Sequence, residues 1–175
     1  MRGNLVDGYL EGPGKSRSRD GFTFEGTFRE GRLHGSGLQT YPDGTTLQGM
    51  WVKGQFSGYG RKTDPGGAVC EGEWINGFII NGSGTLVVPS GFTLEGTWVK
   101  GKMEGMGRKS HIDGTSYVGE FSRNKYHGYG TLREPSGDTY EGQWVNGVKS
   151  GMGKWTTSYG LVMEGMFENG KYTMR

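Results

Sequence analysis

One motif, aromatic-x-Gly-x-aromatic-x-x-Gly-x-x-x-Gly-x-Gly, returns along this chain at a nearly constant interval, and a fixed period of that length is the mark of a repeat array. Its clearest copy runs through Tyr140, Gly142, Trp144, Gly147, Gly151 and Gly153. The first position recurs at Phe24, Leu47, Cys70, Leu94, Tyr117, Tyr140 and Met163, in steps of 23, 23, 24, 23, 23 and 23 residues. One period before Phe24 stands Met1, with Gly3, Gly8, Gly12, Gly14 and Gly21 in phase. Repeats therefore start near residues 1, 24, 47, 70, 94, 117, 140 and 163, and residues 1–175 read as a single array. The eighth copy stops before its second half, which points to a piece of a longer protein, because arrays need caps on their open faces.

Within a copy, Phe24-Glu25-Gly26-Thr27-Phe28 places both rings and the glycine on one face of a strand, since side chains alternate with a period of two. Asp7-Gly8, Asn76-Gly77, Asn146-Gly147 and Asn169-Gly170 follow as two-residue hairpin turns that require positive φ. Repeat six has Asn124 where the others have that glycine, and Asn best tolerates the left-handed conformation after Gly. A second strand then carries Gly-x-Gly, as in Gly35-Ser36-Gly37 and Gly128-Tyr129-Gly130. Both glycines are read as sharing a face on which neighbouring rings lie flat. Pro42-Asp43-Gly44, Pro89-Ser90-Gly91 and Pro135-Ser136-Gly137 mark a second turn before the next copy. The expected fold is all-β: an elongated, twisted array of antiparallel β-hairpin repeats forming a single-layer sheet with a groove. At ~4.8 Å per strand such a ribbon would be about 70 Å long.

The 37 glycines would suit collagen or a disordered segment, but no three-residue period exists, and 13% of residues are aromatic at fixed phases. With 20 basic and 18 acidic residues the net charge is only +2, so no nucleic-acid partner is expected. The single cysteine, Cys70, excludes an internal disulfide framework and occupies a ring position, where it reads as a small buried hydrophobe. No run of 18 apolar residues suggests a membrane-spanning helix. Gly8 to Ser16 approaches a phosphate-binding loop, but its glycine spacing is wrong and no helix follows. His34 and His127 share a phase four repeats apart, and His111 has another phase, so they cannot share a metal. They are read instead as loop hydrogen-bonding residues. No catalytic residue, metal or cofactor is expected.

The pattern Tyr-x-Gly-x-Trp-x-x-Gly-x-x-x-Gly-x-Gly resembles the MORN repeat, and the resemblance covers essentially the whole chain. It implies hairpin arrays with a shallow groove, found in junction-forming, cytoskeletal, ciliary and signalling proteins and beside lipid-kinase or SET methyltransferase domains. Such arrays act as scaffolds for proteins, dimerise, and have been proposed to bind phosphoinositides. This chain departs from the pattern at Leu47, Cys70, Leu94 and Met163, which thins one row of rings. Repeat four has one residue more between Gly77 and Gly82, which reads as a bulging apolar loop tip at Phe78-Ile79-Ile80-Asn81.

Three surfaces are candidates for binding. The rings Phe28, Trp51, Trp74, Trp98, Tyr117, Phe121, Tyr140 and Trp144 either hold the sheet together or line a groove for an extended peptide or a helix. Lys15, Arg61, Lys62, Arg108, Lys109 and Lys154 share a phase of alternate repeats and are expected along one edge, facing anionic lipid or paired with the series Glu25, Glu71, Glu95, Glu141 and Glu164. Hairpin tips Leu33, Phe56, Ile79, Met103, Tyr126 and Tyr172 form an apolar row able to meet a second molecule, and the last hairpin, Met163 to Met174, leaves an open edge. The expected function is a non-catalytic scaffold binding protein partners through the aromatic groove and open ends, with a homodimer as one form. Alternatives are a peripheral membrane module binding anionic phosphoinositides, or the targeting segment of a larger enzyme such as a SET methyltransferase or lipid kinase. The expected location is cytoplasmic, at the cytoskeleton or inner membrane surface.

Overall fold

The computed structural model describes residues 2–173, so the start of the first repeat at Met1 and the end of the last hairpin at Met174 lie outside the described residues. All regular structure within them is β, in two units divided after Gly84. The first holds β1 (Arg2–Val6), β2 (Tyr9–Arg17), β3 (Thr23–Arg29), β4 (Arg32–Thr40), β5 (Thr46–Val52), β6 (Gln55–Thr63), β7 (Val69–Ile75) and most of β8 (Phe78–Val87). The second holds β9 (Phe92–Val99), β10 (Lys102–His111), β11 (Ser116–Ser122), β12 (Lys125–Arg133), β13 (Thr139–Val145), β14 (Val148–Thr156), β15 (Val162–Glu168) and β16 (Lys171–Thr173). Within each unit every strand pairs antiparallel with the next in sequence.

Two kinds of turn produce this order. The tight turn has positive φ at both central residues in every repeat, near 50° at Glu30, Lys53, Lys100 and Arg123 as well as at Asp7, Asn76, Asn146 and Asn169. Such a turn carries the right-handed twist that the flanking strands need. Its second residue also donates its N–H back to the preceding repeat: Gly54 to the Leu33 carbonyl at 2.8 Å, Gly77 to Phe56 at 2.9 Å, and Asn124 to Met103 at 3.1 Å. Asn124 thus does what the glycines do. The link turn is equally regular: Tyr41 N–H donates to the Thr45 carbonyl, Gly44 N–H donates to the Tyr41 carbonyl, and Gly44 has φ +92°.

Glycine forms a line across each unit. Gly3, Gly14, Gly26, Gly37, Gly49, Gly60, Gly72 and Gly82 are successive cross-strand partners, and so are Gly107, Gly119, Gly130, Gly142, Gly153 and Gly165. This line leaves a trough on the ring face, and the rings lie down in it. The indole N–H of Trp51 donates to the Gly37 carbonyl at 3.0 Å, that of Trp74 to Gly60 at 2.9 Å, and that of Trp144 to Gly130 at 3.1 Å. A ring lying flat covers backbone and is covered by the next ring, so a single sheet buries its core without a second layer.

The two glycines of Gly-x-Gly share a face towards the next strand, opposite Trp51 and Gly49 in the case of Gly35 and Gly37, but do different work. Only the second belongs to the line. The first sits in a bulge where His34, Gly35 and Ser36 face the single residue Thr27, and Gly35 has φ +87°. Repeat four lacks this bulge glycine. Gly82 pairs with Gly72 and takes the place that Gly37 has elsewhere, so the hairpin is one residue shorter and only Ile80 bulges. Its expected loop tip is instead strand: Ile79 pairs with Trp74 and is buried, while Phe78 pairs with Ile75 and is exposed.

Candidate functional site

The eight rings nominated for a partner-binding groove are core. Phe28, Trp51, Trp74, Trp98, Tyr117, Phe121, Tyr140 and Trp144 are each at most 4% exposed. They form edge-to-face and tilted chains, as in Trp51–Phe56–Trp74 with centroids 5.1 and 5.3 Å apart, and Tyr140 between Trp144 and Phe167 at 5.1 and 4.8 Å. A partner could reach only their margins. The trough is a groove already filled by the protein's own side chains.

The hairpin tips are corrected for the same reason. Leu33, Phe56, Ile79 and Met103 are 3–7% exposed, and Tyr126 and Tyr172 are half-buried. Each pairs directly across its hairpin with a ring, Leu33 with Phe28 and Phe56 with Trp51 for example, and direct cross-strand partners share a face. Where position one holds Leu47, Cys70 or Leu94, the tip side chain fills the trough, as the Phe56 ring does over Gly60. Where it holds Tyr117 or Tyr140, the phenol fills the trough instead and donates to a carbonyl, Tyr117 to Glu120 at 2.9 Å and Tyr140 to Gln143 at 3.1 Å. The displaced tips then stack above, Tyr126 on Tyr117 at 3.7 Å and Lys149 over Tyr140 and Trp155. Burial holds both phenols up at about 12 and the Cys70 thiol at about 11, so Cys70 has no nucleophilic character at neutral pH.

The basic series divides between two faces. Adjacent strand residues point oppositely, so Arg61 and Arg108 lie on the open face while Lys62 and Lys109 turn to the ring face. There Lys62 pairs with Asp64 at 3.0 Å, and Lys109 stands 4.3 Å over the Phe92 ring. On the open face Lys15 and Arg61 pair with Glu25 and Glu71 at 2.7 and 3.6 Å. Among the described residues Arg108 and Lys154 form no ion pair. The series is therefore split between two faces, with two of its six members in cross-strand ion pairs, and does not form one cationic edge. The histidines expected in loops are strand residues: His34 in β4 accepts weakly from the Lys53 N–H at 3.5 Å, and His127 in β12 leaves Nδ1 buried without a partner.

The open face carries side chains that sequence reasoning passed over. Tyr59, Met106, Tyr129 and Met152, the middle residues of Gly-x-Gly, are 54–66% exposed. Tyr129 is held in place: its phenol donates to the Glu141 carboxylate at 3.0 Å, and its N–H donates to Glu120 at 3.1 Å. At the turn ends the pairs Val6 with Tyr9, Ile75 with Phe78, and Val145 with Val148 are also exposed. The available signal was phase: the residue between two glycines of a ring-facing pair must point away from the rings. Among the described residues no three His, Cys, Asp or Glu side chains gather to hold a metal ion, and no helix is long and apolar enough to cross a membrane.

The family described as MORN repeat matches residues 2–23, 24–46, 48–69, 70–92, 95–116, 117–139 and 140–158. The chain belongs to the MORN-repeat family. No curated protein matches the sequence. Among solved structures, the TCP domain of SAS-4 (dCPAP) of Drosophila melanogaster, in complex with a proline-rich motif of Ana2 (dSTIL), is similar at 12% identity and a TM-score of 0.36, over 74% of this chain and 71% of that one. A likeness of that size carries no argument about function.

Proposed function

We propose that this chain is a non-catalytic scaffold that binds a protein partner on its open face. The supporting observation is the division of labour between faces. Rings are consumed in the core, while Met106, Tyr129 and Met152 stand exposed in one phase of β10, β12 and β14. Large apolar side chains repeated on a solvated face, with polar neighbours around them, are the composition of a protein-binding patch. Membership of a repeat family supports the same reading, because arrays present extended surfaces to partners. One array over residues 1–175, a homodimer and a cytoplasmic place beside the cytoskeleton or the inner membrane belong to this proposal on the family resemblance alone.

The test is affinity capture followed by reconstitution with the purified partner, comparing the parent with Met106→Glu, Tyr129→Glu and Met152→Glu combined. Loss of the partner with an unchanged unfolding midpoint supports the reading. Retention of the same partner at the same affinity overturns it. A second reading, a membrane module, draws on Arg108 and Lys154, the members of the basic series left unpaired on the open face. Pelleting with phosphoinositide vesicles at physiological salt that disappears in Arg108→Glu with Lys154→Glu would support it. Attachment to a methyltransferase or lipid-kinase domain is the third form the proposal allows.

A further inference from the structure

The tight turn of the second repeat departs from its neighbours. At the residue pair that closes this turn, the other described hairpins place apolar or mixed pairs, such as Val6 with Tyr9, Ile75 with Phe78, or Glu168 with Lys171. Here β3 and β4 set Arg29 directly opposite Arg32. Like charges in that relation oppose hairpin formation. Among the described residues neither guanidinium forms an ion pair, and both residues are exposed. The same two side chains line a concavity of about 450 Å³ with His34, Lys53 and Glu30.

Each neighbour has a defined disposition. Lys53 is the first residue of the next tight turn, held there at φ +49°. The Lys53 N–H lies 3.5 Å from Nδ1 of His34, and when Nδ1 accepts, the proton resides on Nε2, which is then a donor for another group. Glu11, the nearest acid on β2, accepts from the Glu30 N–H at 2.9 Å. Glu30 contributes one carboxylate against the three cations Arg29, Arg32 and Lys53. The concavity therefore has an excess of donors and positive charge.

We propose that Arg29, Arg32, His34 and Lys53 form a binding site for a phosphate monoester or diphosphate. A carboxylate has two oxygens and one charge, which a single guanidinium fork satisfies. A phosphate has three or more oxygens and close to two charges, and it accepts from two forks and an ammonium arriving from different strands. Such an anion would also screen the repulsion between Arg29 and Arg32. The group could belong to a soluble phosphate compound or to a lipid headgroup. Arg29 and Arg32 also stand on the open face, but in the first unit and with no residue in common with Met106, Tyr129 and Met152, so this site stands or falls without that patch.

The experiment titrates the full chain with inorganic pyrophosphate in sodium chloride at physiological ionic strength, following arginine side-chain NMR signals and calorimetric heat. Saturable binding is expected, weakened about tenfold or more in Arg29→Gln and in Arg32→Gln, the loss of one charge-assisted hydrogen-bonding group. Arg61→Gln, which removes a cation already paired with Glu71, should bind as the parent does. In phosphate-free buffer of low salt Arg32→Gln should unfold later than the parent, because one like charge is gone, and this readout shows that the variant is folded. Unchanged binding in both arginine variants, equal weakening by Arg61→Gln, or no saturable binding would overturn the site. A second arm uses phosphatidylcholine vesicles with and without phosphatidylinositol bisphosphate. Pelleting competed by pyrophosphate supports the site with a lipid source, and pyrophosphate binding without pelleting supports it with a soluble one.

Discussion

Replacing Gly60 by Ala tests whether the glycine line exists to receive side chains. Gly60 does not have positive φ, so its backbone accepts any residue. Its new Cβ would lie 2.7 Å from Cε2 of Phe56 and 3.0 Å from the Gln48 carbonyl oxygen. Phe56 is 3% exposed and wedged between Trp51 and Trp74, so it can move only by leaving the trough. Displacing it forfeits ~1.5–3 kcal/mol of burial and ~0.5–1.5 kcal/mol for each ring contact. With two ring contacts, Gly60→Ala is therefore expected to cost about 2.5–6 kcal/mol. Gly77→Ala is the control, at φ +82° with nothing within 4 Å of its Cβ. There the left-handed conformation costs ~1–2 kcal/mol, offset by ~0.4–1 kcal/mol from a stiffer unfolded chain. Urea unfolding followed by tryptophan fluorescence, with hydrogen exchange of β5–β7 amides, gives both numbers. Phe56→Ala alone should cost ~3–5 kcal/mol, and adding Gly60→Ala to it should cost under ~1 kcal/mol, because the ring that clashed is gone. Equal costs for Gly60→Ala and Gly77→Ala, or additivity with Phe56→Ala, would falsify the packing argument.

Three further outcomes follow from local geometry. Arg123 holds φ +51° at the first position of its tight turn, so Arg123→Asn should stabilise by about 0.5–1 kcal/mol in thermal unfolding, since Asn tolerates that region. Asp113 accepts the Thr115 N–H at 2.8 Å and contacts His111 at 3.0 Å, and the hydrogen bonds from Thr115 hold its carboxyl down at about 2 from an ordinary 3.8. Its folded value is depressed, so its contribution is present above the ordinary value and disappears as pH falls through about 2. The stability difference between the parent and Asp113→Asn should shrink over that window, with carboxyl carbon NMR giving the titration directly. Tyr117 and Tyr140 are held up at about 12 by burial, so their stabilisation is present below 10 and lost as pH rises through 12. Phenolate absorbance should show these two ionising near pH 12, and their ionisation near the ordinary 10 in the folded protein would contradict the assigned burial.

The period, the hairpins and both turn types are properties of the sequence itself, because they depend on local backbone preference and on alternation along a strand. Even turns headed by Glu30, Lys53 and Arg123 adopt the geometry read from Asn76-Gly77, since the register on either side leaves two residues and one twist to satisfy. Alternation alone also separates Arg61 from Lys62, and direct pairing alone puts Phe56 beside Trp51, so those corrections were legible in principle. What only the tertiary structure decided is occupancy. A line of glycines says that something lies over the backbone, but not whether Phe56 from one strand or Tyr117 from another fills it. That choice turns on side-chain reach and on which neighbours leave space, and it sets which surface remains for a partner. The rings marked a groove in the sequence, and packing filled it. Exposed Met106, Tyr129 and Met152, and the opposed Arg29 and Arg32, acquired meaning only once the strands lay side by side, because an open face is defined by what the other face has buried.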